Sequence, residues 1–449
     1  MIVNRFREEL HHGRSVDESI KQTVATAGKT VFYSGITIVI TLAALMLFPQ
    51  MFLKSFGYAG VTVVIMAVLG SLVALPALLA ILGHRVDKGV VRRSSITPKE
   101  DGRWAQTARF VMRRPVAVVM LSLIILTVLA APMKNIVFSQ VDSQVLPASN
   151  PAANASKIIS ERFPGQEGNP IEIIVPKGAF MGTQINQYTT EIAQVPGIVR
   201  IGNSQVAGDD VRVTAIHSMA PRTPAAEALI KEIRKIRAPE GTLIGGVAAD
   251  YADTQIGIAK TMPWALLWIA IGVLVLLFIF TGSIILPIKA IILNILSLAA
   301  TMGAITWIFV DGHLKWLVGD FTTTGSVDTG SIILVAVVAF GLSMDYEVFL
   351  LSRIKEEHDA GKSNIESVAT GLQRSARIIT AAAGLLAIVF SSFMLSGVTS
   401  IKMLGFGVAF AILLDASLVR ALLVPALMRL FGERNWWAPK AMQRFTINH

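Results

Sequence analysis

Eight runs of apolar residues divide this chain, at 30–48, 56–82, 116–131, 263–281, 284–310, 331–351, 378–395 and 403–430. A helix needs about 20 mainly apolar residues to cross the hydrocarbon core of a bilayer. Backbone polar groups in lipid must be satisfied internally, so a chain with such runs folds as a bundle of spanning helices. Composition agrees: 53% of residues are hydrophobic, 16% are charged, and the mean hydropathy is +0.61. The chain has no cysteine, which excludes disulfides and thiolate metal sites. Its seven histidines show no metal-ligand spacing, so neither a metal nor another cofactor is expected. No Walker motif, GxSxG or other catalytic constellation is present, so the chain does not read as an enzyme. No cleavable signal peptide opens it.

The net charge of +10 does not call for nucleic acid. No aromatic–basic motif accompanies it, and basic residues gather in the cytoplasmic loops of membrane proteins. Arg85, Lys88, Arg92, Arg93, Lys99, Arg103, Arg109, Arg113 and Arg114 fall between the second and third runs. Arg353, Lys355, Lys362, Arg374 and Arg377 fall between the sixth and seventh. Both loops are expected in the cytoplasm, with the tail that carries Arg429, Arg434, Lys440 and Arg444. Residues 132–262 then lie outside. The expected layout is the end of a first-half bundle at 1–83 (a cytoplasmic amphipathic helix and two spans), a basic cytoplasmic linker at 84–115, a span at 116–131, an extracytoplasmic domain at 132–262, a five-span second-half bundle at 263–430 and a cytoplasmic tail at 431–449. The expected setting is a membrane that borders the cytoplasm.

The external segment has domain-like patterning. Strands are expected at 171–175, 199–201, 211–216 and 243–245, and helices at 182–194 and 223–237. The order βαββαβ matches a ferredoxin-like split βαβ. The fold class is therefore an α-helical polytopic membrane protein with one extracytoplasmic α+β ferredoxin-like domain. Lys231, Arg234 and Lys235 could bind an acidic head group, but read more simply as a solvated helix face.

Asp345 and Tyr346 stand out because they sit inside the apolar run 331–351. An unpaired carboxylate at the bilayer centre is costly by at least ~2.5–3.5 kcal/mol, and such acids usually move protons or ions. One alternative places Asp345 at a helix end beside Glu347 and Arg353; another makes Tyr346 an interfacial belt residue. Apolar residues continue through Leu351, which favours an intramembrane acid. Ser343, Asn294, Asp415 and Arg420 are the possible supporting polar residues of the spans. Asp415 and Arg420, five residues apart, project about 140° from each other on an α-helix. Each is expected to pair with a neighbouring helix in a structural role. Lys289 can snorkel to the cytoplasmic surface.

The chain also repeats. The segment NRFREE at 4–9 matches SRIKEE at 352–357, and Gly13, Ser15, Glu18 and Ser19 match Gly361, Ser363, Glu366 and Ser367, all 348 residues later. Pro76 and Pro425 pair one residue further on. Parallel repeats are a transporter architecture. The offset puts counterparts of Asp345 and Tyr346 ahead of Met1. The chain is thus expected to start inside a repeat, as a fragment, half of a split gene or a misplaced start. Asp345 would then face lipid or water, and the chain alone would not export.

The residues FGLSMDYEVFLLSRIKEEHDAG at 340–361, VNRFREELHHGRS at 3–15, LDASLVRALLVPALMRLFG at 414–432 and NWWAP at 435–439 carry a family resemblance. RFPG at 162–165 and the pattern of Gly245, Gly246 and Asp253 add to it. With these motifs the whole chain resembles the mycobacterial membrane protein large (MMPL) family of the resistance–nodulation–division superfamily. The resemblance implies twelve spans and two external domains in full-length members, of which this chain covers the end of span four onward. It further implies export of lipids or other hydrophobic molecules, driven by the proton gradient. Asp345 and Tyr346 match the second Asp-Tyr pair of a proton relay, and the first pair has no match here. The implied partners are membrane lipids, a hydrophobic or lipid substrate, and a missing N-terminal half or a homo-oligomer. A second reading is a non-transporting membrane scaffold or the remnant of a truncated transporter; upstream coding sequence would separate the two.

Overall fold

The computed structural model describes residues 2–88, 102–140, 142, 145–147, 149–163, 165–323 and 325–439. Arg92, Arg93, Lys99, Lys440 and Arg444, used above to orient the bundle, lie outside the described residues. Among the described residues eight helices are long and apolar enough to cross a membrane. They are the first span (Val16–Leu47), second (Met51–Asp87), third (Pro115–Asn135), fourth (Val247–Thr281), fifth (Ile285–Val310), sixth (Thr329–Asp359), seventh (Asn364–Leu395) and eighth (Thr399–Trp436). The sixth and eighth are mostly buried, whereas the second and third leave their apolar surfaces exposed. That contrast separates bundle interior from lipid-facing wall.

Local signals fix the helix ends. Pro115 opens the third span at a position where a missing N–H leaves nothing unpaired. Asp328 caps the sixth: its Oδ2 accepts from the Ser331 backbone N–H at 2.7 Å and from the Ser331 hydroxyl at 2.6 Å. Gly246, with φ 93°, lets the chain turn into the fourth span; a Cβ there would meet the Pro170 carbonyl oxygen at 2.4 Å.

The fourth span's helix extends beyond its apolar run. It starts at Val247 and runs unbroken through Pro263, so residues 247–262 carry the helix into the insert. Ala248, Ala249 and Ala252 are small enough to pack this extension against the core of the insert. Burial there outweighs the hydrogen bond forfeited at Pro263.

The repeat is visible in the backbone. Ser15 and Ser363 cap the first and seventh spans, each accepting from the glutamate three residues on. Gly13 (φ 82°) and Gly361 (φ 88°) precede them in the left-handed region. A π-helical turn, Gly70–Ala74, stands in the second span and another, Asp415–Leu423, in the eighth. After each comes a proline-led α-helix, then a glycine with φ near 50° (Gly83, Gly432), then a 3-10 turn. Glu9 and Glu357 are both buried and each holds two cations: Arg5 (2.9 Å) and Arg14 for Glu9, Lys362 (2.8 Å) and Arg374 for Glu357.

Between the third and fourth spans the chain forms an inserted α+β domain. Phe138–Ser139 (β1) leaves the third span. The sheet follows, with Ile171–Val175 (β2), Ile198–Ile201 (β3), Gln205–Ala207 (β4), Asp210–His217 (β5) and Leu243–Gly245 (β6). Its order is β3-β5-β2-β6, all pairs antiparallel, with β4 forming a hairpin on β5. Helices Gly182–Ala193 and Pro224–Ile233 pack Ile185, Tyr188, Ile192, Leu229 and Ile230 onto Ile171, Ile173, Val213 and Ala215. The β4 hairpin and the helix Pro151–Arg162 are additions to the pattern read from sequence. On the exposed face, Arg212 grips Glu172 through two hydrogen bonds of 2.6 and 2.7 Å, which hold that carboxyl below its usual range. Lys231 and Lys235 pair with Glu227 and Glu232, and Arg234 pairs with Asp253, as expected of a solvated helix face.

A two-residue parallel ladder joins β1 to Val327–Asp328 (β7) at the head of the sixth span. The Tyr251 hydroxyl donates to Phe138 O at 3.0 Å, and the Thr329 hydroxyl donates to Ser139 O at 3.0 Å. The insert is thereby tied to the helix that carries Asp345.

Candidate functional site

The sixth span is straddled by the first and the eighth. Gly341 lets the first span approach closely, since a Cβ there would meet Thr41 Oγ1 at 2.5 Å. One face of the first span presents Thr30, Ser34, Thr37 and Thr41, a stripe of hydroxyls at three- and four-residue spacing. Thr37 and Thr41 spend their hydroxyls on backbone carbonyls of their own helix. Ser34 instead donates across the interface to Asp345 Oδ1. Asp345 therefore does not face lipid or water alone, contrary to expectation; the first span covers it because Gly341 permits the contact.

On the other side stands Arg420, almost fully buried. It bridges Asp415, donates to the carbonyl oxygen of Ser343, reaches the Ser343 hydroxyl at 3.3 Å, and lies 5.0 Å from the centre of the Tyr346 ring. This overturns the expected geometry of Asp415 and Arg420. The pair does form a bridge within one segment, because Asp415–Leu423 is wound as a π-helix. With i→i+5 winding, residues five apart stack on one face, whereas on an α-helix they diverge. The cross-helix partner expected for Arg420 is also present, in Ser343. Arg420 Nε and Nη1 are buried without a hydrogen-bond partner among the described residues.

Asn294 joins a second polar position. Its amide donates to Ala290 O at 3.1 Å and lies 3.4 Å from Glu347 Oε2. Glu347 is buried, not a helix-end companion of Asp345. Lys289 is half-buried. Its ammonium ends on Asn435 Oδ1 and 5.1 Å from the Phe431 ring centre, because the 3-10 turn Gly432–Trp436 folds back over it.

Comparison with known proteins now settles the lineage. The MMPL family model matches residues 1–118 and 144–447. This chain belongs to the MMPL family. It is 38% identical over 450 residues to a membrane protein of Streptomyces coelicolor, covering 99% of this chain and 61% of that protein. It is 34% identical over 487 residues to the trehalose monomycolate exporter MmpL3 of Mycobacterium tuberculosis (99% and 51%). It is 32% identical over 468 residues to the mycolic acid-containing lipids exporter MmpL11 of Mycolicibacterium smegmatis (99% and 48%). The chain thus spans about half to three fifths of these relatives. Among solved structures it shares the fold of SecDF, a translocon-associated membrane protein of Thermus thermophilus, with a TM-score of 0.55 at 14% identity over 96% of this chain and 52% of that one. With eight apolar helices, MMPL membership places the chain as a multi-pass protein of the bacterial cytoplasmic membrane.

In this MMPL chain the polar residues singled out from the sequence come together about the sixth span. Asp345, Tyr346, Ser343, Asp415 and Arg420 share one cluster, which recruits Ser34. Asn294 meets that cluster through Glu347, which interacts electrostatically with Asp415, Arg420 and Lys289. The residues missed from sequence were Ser34 and Glu347. Ser34 was detectable from the hydroxyl stripe in its span. Glu347 had no separate signal, because two residues from an acid it reads as part of the same polar break.

Proposed function

We propose that this protein exports lipids or other hydrophobic molecules across the cytoplasmic membrane, driven by protons that pass through Asp345. The observation that carries this reading is the Ser34–Asp345 hydrogen bond beside Tyr346, Arg420, Asp415 and Ser343, deep in an otherwise apolar bundle. A relay carboxylate must change charge inside the membrane, and its neighbours must feel the change. Ser34 supplies a hydroxyl that can both donate to a carboxylate and accept from a carboxylic acid. Arg420, over the Tyr346 ring and fixed to Asp415, supplies the positive charge against which a gain or loss at Asp345 is registered. Each proton that crosses a potential of 100 mV releases about 2.3 kcal/mol. Asp345 sits on the sixth span, whose head is laced to the insert through β7 and Thr329, so motion of that span would reach the insert.

The exporter names of the relatives support a lipid substrate class. The sheet order β3-β5-β2-β6 with two crossover helices supports reading the insert as a ferredoxin-like domain. Arg85, Lys88, Arg109, Arg353 and Lys355 at the opposite end support an extracytoplasmic position for it.

The test compares Asp345→Asn with Asp345→Glu in cells that depend on the transporter, following the appearance of labelled lipid at the outer face. Asp345→Asn keeps the shape and the Ser34 contact but cannot carry a proton. Export should fall at least 100-fold at unchanged membrane abundance, and Asp345→Glu should retain part of it. Export that survives Asp345→Asn, or that ignores collapse of the proton gradient, refutes the proposal.

A further inference from the structure

Two turns beyond Asp345, away from the insert, the repeat closes around a cavity of about 200 Å³. Its polar lining comes in repeat-related pairs: Asn4 and Ser352, Arg5 and Arg353, Glu8 and Glu356. Arg5 reaches Glu8 at 3.3 Å and Arg353 reaches Glu356 at 2.8 Å, so the same ion pair is built twice across the cavity. Thr26, Lys29 and Thr30 of the first span complete the polar side, and Phe280 and Ile378 stand on the apolar wall. Arg5 also bonds Glu9 at 2.9 Å, yet its Nε is buried without a partner among the described residues. The volume accommodates several waters, each occupying about 30 Å³ in the liquid.

The cavity is aligned with Asp345 on both helices. At about 100° per residue, Asp345, Phe349, Ser352 and Glu356 fall on one face of the sixth span, and Ser352 lies ~10 Å from Asp345 along the axis. On the first span, Thr30 lies one turn from Ser34, the residue bonded to Asp345. Between acid and cavity on this face stands Phe349, buried, with the Arg353 guanidinium 5.9 Å from its ring centre.

We propose that this cavity is the aqueous mouth through which Asp345 exchanges its proton with the side of the membrane opposite the insert. Ser34 and Thr30 are the intervening hydroxyls, and Phe349 is the apolar stop. The charged groups facing the path are Arg5, Glu8, Lys29, Arg353 and Glu356 at the mouth and Arg420 beyond the acid. The paired salt bridges hold the mouth open and wet with little net charge. This assignment rests on the relay reading of Asp345.

Because the natural chain has no cysteine, single thiols report access directly. Thr30→Cys, Ser352→Cys and Ser34→Cys are made in the full chain in membrane vesicles of both orientations. They are then treated with a membrane-impermeant methanethiosulfonate, with Asp210→Cys marking the insert side. The Thr30→Cys and Ser352→Cys thiols should react from the side opposite Asp210→Cys. Ser34→Cys should react at least tenfold more slowly, and Ser34→Cys/Phe349→Ala should recover that tenfold. In parallel, carbodiimide modification of Asp345 is followed after a pH step on the same side. Thr30→Val should slow the response several-fold, and Thr30→Ser should not. Thiols that react only from the insert side, or not at all, overturn the mouth, as does a response indifferent to Thr30→Val. If Asp345 is never modified while the thiols behave as expected, the relay reading fails and the water-filled mouth stands.

Discussion

Removing one member of the Asp415–Arg420 pair should harm the protein far more than removing both. The two side chains are only 6% and 3% exposed, and they are bound to each other and to Ser343. Asp415→Asn leaves a buried guanidinium without its counter-charge, and Arg420→Met leaves a buried carboxylate. Either loss is worth about 3–5 kcal/mol, whereas replacing a buried ion pair by apolar residues of similar volume is often neutral or stabilising. The second outcome is favoured here because Arg420 already carries two unpartnered N–H groups, each disfavoured by about 1–3 kcal/mol. A tenfold change in an equilibrium constant is about 1.4 kcal/mol. Each single variant should therefore lower the folded-to-unfolded ratio by two to four orders of magnitude on that estimate. The assay is a double-mutant cycle in mixed micelles, with unfolding by dodecyl sulfate followed by far-ultraviolet circular dichroism. The double variant Asp415→Leu/Arg420→Met should recover nearly all the stability and still fail to export. A double variant as unstable as the two single losses combined would refute the pairing. A double variant that exports normally would refute a role for Arg420 in sensing Asp345.

Three further outcomes follow from packing and burial. Gly303→Ala should destabilise by about 1–3 kcal/mol, since its Cβ would sit 2.0 Å from the Leu129 carbonyl oxygen; Gly384→Ala, which meets nothing within 4 Å, should be neutral or gain up to about 1 kcal/mol in the same unfolding assay. Ser34→Ala should reduce export less than Asp345→Asn does, because it removes one hydrogen bond and leaves the acid; equal losses would mean Ser34 itself carries the proton. His217 is fully buried, its Nε2 donates to the Asn169 carbonyl oxygen at 3.1 Å, and burial pushes its titration below the ordinary histidine range. Its contribution to stability is thus complete above about pH 6.5 and is lost as the pH falls, by up to about 1.4 kcal/mol per pH unit; amide exchange of β5 in the intact chain should show this slope, and His217→Gln should flatten it.

The bundle was legible because long apolar runs leave few alternatives to spanning helices. The eight runs and the eight spans coincide, apart from helix extensions into polar flanks such as Val247–Met262. That extension was hidden because a proline at 263 reads as a start, while the alanines that anchor the helix to the insert carry no polarity signal. Asp345 was legible by its incongruity. Its surroundings were not, since they depend on which spans touch. Ser34 becomes informative only once the first span lies against the sixth. The Asp415–Arg420 bridge was misread for a geometric reason: a five-residue spacing was laid on an α-helix, and helical pitch is not written in composition.

The repeat sharpens what that bridge is for. The second span winds its own π-turn at Gly70–Ala74, at the place matching Asp415–Leu423, and both turns lead into a proline-started helix that ends at a glycine with the same backbone angles. Yet the second span has no ion pair there: its π-turn reads GSLVA, with no charged residue. A π-turn at this point of the repeat therefore forms without buried charge, from backbone and packing alone. Asp415 and Arg420 are not what winds the helix; the helix, already wound, brings them onto one face. A buried pair that the π-turn does not require, set against the Tyr346 ring and Ser343, would find its explanation in the relay proposed for Asp345. This is why the double apolar variant should be stable and silent.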